Sequence, residues 1–107
     1  MANSNAPISG VAERYARSLF DLANEAGSVA AVEKDLGRFE ALLEGSGDLK
    51  RLIYSPVFSA DDQFKAIAAI ADKAGIKGLV GNFLRVVAKN RRLFTLPGII
   101  RAFRRLA

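Results

Sequence analysis

The chain contains no cysteine, no histidine and no tryptophan. Without thiols there is no disulfide framework, no cysteine nucleophile and no thiolate metal ligand. Without imidazole, the commonest zinc ligand and the side chain that titrates near neutrality are both missing. Only three prolines interrupt the 107 residues. No apolar run is longer than the six residues 66–71, far short of the roughly 20 that a membrane-spanning helix needs. Acidic residues stop altogether at Asp72.

These absences leave catalysis little to work with. Acid/base chemistry would fall to paired carboxylates or a pocketed lysine, and Asp61 and Asp62 are the only adjacent acids. Following Ser59, they read as first-turn residues that meet the positive end of a helix dipole. The glycines of "GIKGLVG" have no strand before them and no Lys-Ser or Lys-Thr after them, so they make no phosphate loop. The sequence predicts no catalytic residue, no metal site and no cofactor.

Half of the residues are apolar and a quarter are charged, the composition of a soluble globular chain. The length suits one domain, 1–107, able to bury a core without covalent staples. The opening residues "MANSNAPISGVAERYARS" show neither a charged start with an apolar block nor a small-residue cleavage pattern, so no export or import signal is expected. Charge is segregated. Residues 1–76 carry eight basic and eleven acidic side chains, whereas residues 77–107 carry eight basic ones and no acid.

Apolar spacings of three and four recur almost throughout and strand-like alternation is absent, which predicts an all-α bundle of about six helices. The punctuation places them at about residues 9–26, 28–44, 48–54, 59–74, 77–90 and 95–107. Gly27 and Gly75 serve as stops, Ser28 and Thr95 as N-caps, and Pro56 ends the third helix. Ser59 with Asp62 forms a capping-box variant, and Pro97 falls harmlessly in the first turn of the last helix. That helix is still amphipathic at Ala107, which suggests a chain cut short.

Two readings of the surface follow. The late cations Lys77, Arg85, Lys89, Arg91, Arg92, Arg101, Arg104 and Arg105 could neutralise phosphates, as in an RNA-binding helical bundle resembling bacterial antitermination factors. The alternative rests on two wide apolar arcs, each roughly 160° where a single core needs about 100°. At their spare edges stand Tyr15 and Leu22 on the first helix and Leu79 and Val86 on the fifth, with Ser18 and Asn82 just beyond. Such edges, if they adjoin, make a groove for an amphipathic helix.

The blocks "AERYARSLFDLA", "LIYSPVFSADDQFKAI" and "NFLRVVAKNRRLFTLPGIIRAF", in this order and spacing, resemble the N-terminal domain of the delta subunit of the F-type ATP synthase. The mitochondrial counterpart is the oligomycin-sensitivity-conferring protein. The resemblance covers residues 11–106 and implies a six-helix bundle that acts as a non-catalytic stator connector. It implies docking of the amphipathic N-terminal helix of the alpha subunit between the first and fifth helices. Subunit b of the peripheral stalk would be met by a C-terminal domain absent from this chain. No nucleic-acid binding and no direct membrane insertion are expected, and the location implied is the cytoplasmic side of a bacterial inner membrane, held peripherally.

By that resemblance Tyr15, Ser18 and Val86 match positions that bind alpha, and Val32 matches another more loosely. Leu22, Leu79, Asn82 and Phe83 are added from helical geometry. Within "NFLRVVAKNRRL", Phe83, Leu84 and Val87 are expected in the core. Asn90 is expected to end the helix in the left-handed conformation, with Arg91 and Arg92 near the negative end of its dipole.

Overall fold

The computed structural model describes residues 8–107. Six helices follow in order: α1 (Gly10–Glu25), α2 (Val29–Glu44), α3 (Gly47–Tyr54), α4 (Ala60–Ala74), α5 (Gly78–Lys89) and α6 (Leu96–Leu106). A 3-10 turn, Leu93–Thr95, leads into α6. There is no strand among the described residues, so the all-α expectation holds.

Local chemistry sets most of the boundaries. Ser9 caps α1 by accepting from the Ala12 amide at 3.1 Å, which satisfies one of the free donors of a helix start. The capping box on α4 is complete: Ser59 Oγ accepts from the Asp62 amide, and the Asp62 carboxylate accepts from the Ser59 amide. Gly27 and Gly75 stop their helices at φ 66° and 74°, backbone that glycine alone adopts freely. The guanidinium of Arg38 on α2 also donates to the Ala74 carbonyl, covering an open acceptor at the end of α4.

Two expected caps behave differently. Ser28 stands where an N-cap should, yet its hydroxyl donates backward to the Ala23 carbonyl at 3.5 Å and caps nothing. Thr95 does likewise: buried, with helical φ and ψ, it donates to the Arg92 carbonyl at 2.6 Å. Serine and threonine hydroxyls compete for nearby carbonyls, and the preceding turn offers one in both places. Ser46, on the other hand, caps α3 by accepting from the Leu49 amide at 3.1 Å, so that helix begins one residue earlier than the spacing predicts.

One core unites the helices. Phe39, Phe103, Leu19, Leu36, Ile67, Leu84 and Ile99 are completely or almost completely buried. The helices pack chiefly as two pairs, α1 along α6 and α4 along α5. Small residues make the first pairing close: a Cβ on Gly98 would stand 3.3 Å from that of Ala12, and Ala16 and Ala23 continue the buried stripe on α1. Phe20 meets Phe103 edge-on at 5.8 Å across the core, a geometry worth about 0.5–1.5 kcal/mol beyond burial.

Candidate partner-binding surface

The buried stripe of α1 consists of Ala12, Ala16, Leu19 and Ala23. At about 100° per residue, Tyr15, Leu22 and Ser18 lie progressively further round the same side of the helix. Burial follows that order: Tyr15 is half-buried, whereas Leu22, at 51% exposed, and Ser18 face solvent. On α5 the buried residues are Val80, Gly81, Leu84, Val87 and Ala88. Leu79 and Phe83 are half-buried beside them, Asn82 is exposed, and Val86 is 50% exposed.

Tyr15 joins the two helices. Its ring meets that of Phe83 edge-on, with centroids 6.0 Å apart and planes at 81°. Its hydroxyl accepts a 2.9 Å hydrogen bond from Asn90 Nδ2. Tyr15 and Ser18 also share a shallow 310 Å³ depression with Val11, Arg14 and Arg92. Thus Tyr15, Phe83 and Ser18 come together, while Leu22 and Val86 stand as large apolar side chains left open on either helix.

Two expectations about individual residues need correction. Val32 is 3% exposed and belongs to the core, because α2 turns it inward with Leu36, Phe39 and Leu43. It therefore presents no side chain to a surface. Asn90 does not take the left-handed conformation, since its φ is −87°; Arg91 takes it instead, at φ 57°. The amide of Asn90 is committed to Tyr15, which keeps that residue in the last turn and moves the reversal one position on.

The structure adds residues that the sequence did not assign to this surface. Arg14 and Arg92 enter the Tyr15 depression, and Asn90 orients the tyrosine. A second, larger depression of 560 Å³ lies among α2, α3 and α4, lined by Leu42, Leu49, Leu52, Phe58, Ala66 and Ile70 among others.

Electrostatically, part of the late positive charge is consumed within the fold. Arg104 makes a two-pronged contact with Glu40 on α2, at 2.7 and 3.3 Å. That hydrogen bond raises the Arg104 pKa further above the ordinary arginine value, against a smaller lowering by burial. Arg85 reaches Asp72 on α4 at 3.2 Å, and the ammonium of Lys89 sits 5.6 Å above the Phe64 ring. Among the described residues there is no cluster of three or more metal-ligating side chains, and no helix is long and apolar enough to cross a membrane.

Comparison with known proteins agrees with the resemblance of the quoted blocks. The model of the ATP synthase delta (OSCP) subunit family matches residues 11–107. The ATP synthase subunits delta of Brucella ovis and Brucella canis are each 76% identical over all 107 residues, and that of Brucella abortus strain 2308 is 75% identical. The chain spans 58% of the length of each of these relatives.

Proposed function

The chain belongs to the ATP synthase delta (OSCP) subunit family, and from that membership we propose that it is a non-catalytic connector in the stator of the F-type ATP synthase. In this reading it binds the amphipathic N-terminal helix of the alpha subunit along the α1–α5 edge. It helps to hold the catalytic head to the peripheral stalk while the rotor turns. Subunit b is met by the part of the relatives' length that these 107 residues do not span, and the assembly sits peripherally at the cytoplasmic face of a bacterial inner membrane.

One observation carries the proposal at this surface: Leu22 and Val86, both half-exposed, stand on the two helices that Tyr15 joins through Phe83 and Asn90. A helix with apolar residues three and four apart could cover both. Each such anchor, once fully buried, contributes about 1.5–3 kcal/mol.

The test is a calorimetric titration of the chain with a synthetic peptide of the alpha N-terminal segment, beside Val86→Asp and Tyr15→Asp. Saturable one-to-one binding is expected, reduced at least about tenfold by either substitution because a charge would be desolvated in an apolar contact. Val86 is exposed, so its variant should keep the wild-type circular dichroism and unfolding midpoint. Normal peptide binding by both variants would put the partner elsewhere on the molecule. Single-stranded RNA titrated in parallel at moderate salt is expected to give no signal; tight, steeply salt-dependent binding would favour the nucleic-acid reading instead.

A further inference from the structure

Along the side of α1 that carries Tyr15, the residues Val11, Arg14, Tyr15, Ser18, Leu22 and Glu25 follow one another, with a cation near one end and an anion at the other. Glu13, Arg17 and Asp21 are exposed further round the helix, where they share a depression with Arg14. Arg14 and Arg92 line the same depression as Tyr15, so two cationic residues border it. Among the described residues, neither Arg14, Arg92 nor Glu25 has an ion-pair partner, whereas Arg85 and Arg104 both do.

Glu25 gives a second, independent indication. It is the last residue of α1, and that helix has no basic side chain in its last turn. A carboxylate there meets the negative end of the helix dipole and weakens α1 when the chain is alone. Its charge is therefore not explained by the stability of its own helix. Leu22, one turn earlier, is the exposed apolar anchor on that stretch.

We propose that the α1–α5 edge reads the direction of its partner: the docked amphipathic helix lays an acidic end against Arg14 and Arg92 and a basic end against Glu25. The inference rests on the alpha-helix docking reading above and adds to it an orientation and a charge pattern. With 1.5 Å of rise per residue, Arg14 and Glu25 lie about 16 Å apart along α1, so the partner carries opposite charges about three turns apart on either side of its apolar stripe. An apolar stripe by itself binds nearly as well in either direction. Complementary end charges penalise the reversed pose by placing like charges together.

The test uses the 107-residue chain and the synthetic alpha N-terminal peptide, with a nitroxide attached at one end of the peptide or the other. The nitroxide at the more acidic end should broaden the backbone amide signals of Arg14 and Arg92, and the nitroxide at the other end those near Glu25. The double variant Arg14→Gln/Arg92→Gln should bind about tenfold more weakly at low salt, and Glu25→Lys about fivefold, with both losses shrinking as salt is raised. All three substitutions alter exposed side chains, so circular dichroism should not change. If the peptide binds and is lost on Val86→Asp, yet the charge variants match wild type or both nitroxides broaden both ends alike, the orientation reading is wrong while the docking reading stands. If the peptide does not bind wild type at all, both fall together.

Discussion

Arg91 is a residue whose backbone works against its side chain. At φ 57° it occupies the left-handed region, which costs a residue bearing a Cβ about 1–2 kcal/mol relative to glycine. Its side chain is exposed. Arg91→Gly is therefore expected to stabilise the chain by about 0.5–1 kcal/mol after allowance for the more flexible unfolded state, read as a higher midpoint in urea. A lower midpoint would mean that the arginine makes a compensating contact. The glycines at 81 and 47 form a contrasting pair. A Cβ on Gly81 would lie 2.7 Å from the Ile76 carbonyl oxygen, whereas one on Gly47 meets nothing within 4 Å. Gly81→Ala should cost about 1–3 kcal/mol through forced displacement of the loop before α5. Gly47→Ala, in the first turn of α3, should be neutral or stabilising by up to about 1 kcal/mol. Equal midpoints for the two variants would show that the Ile76 backbone yields easily.

At the scale of elements, α6 is packed chiefly along α1. Phe103 on α6 is completely buried and meets Phe20 of α1 edge-on. Phe103→Ala should cost about 3–5 kcal/mol in a denaturation experiment, from lost transfer energy and the cavity left behind; a cost below about 1 kcal/mol would mean that the helix pair can collapse onto the gap. The helices themselves were legible in the sequence because periodicity, glycine stops and the Ser59–Asp62 box act within a turn or two of chain. Legibility failed where a distant partner decided the matter. Asn90 is a good helix terminator by type, but its amide is claimed by Tyr15, on the far side of the sequence. Val32 is expected at a contact surface only by its loose match to a family position, whereas the packing of α2 places it in the core. The arcs on α1 and α5 found the exposed apolar residues, yet Arg14 and Arg92 share a depression only because the fold brings the two chain segments together. No one-dimensional pattern encodes that meeting.

For the whole molecule, the segregation of charge along the chain becomes a means of joining its parts. The acid-containing stretch supplies Glu40 and Asp72, and the acid-free stretch supplies their partners Arg104 and Arg85. The pairs tie α2 to α6 and α4 to α5. Because the Arg104 pKa is raised in the fold, the stabilisation linked to its charge is fully present below the ordinary arginine value. It is lost only as pH climbs through the still higher folded value, so it is constant across the neutral range. Both partners remain well exposed to water, with side-chain accessibilities of 42% and 30%. Glu40→Gln should therefore cost no more than about 1 kcal/mol at low ionic strength and less in salt, measured by urea midpoints at two salt concentrations. A larger, salt-insensitive loss would assign Glu40 a packing role instead.

The close pairing of α1 with α6 also bears on how the chain is made. Synthesis delivers α1 well before α6, so α1 leaves the ribosome with its alanine stripe uncovered and waits while α2 to α6 are translated. The pairing that buries this stripe closes a loop of nearly all the described residues, a slow kind of event in folding. A nascent chain stalled before Leu96 should therefore be open to proteases and chaperones, and become resistant in one step once α6 emerges.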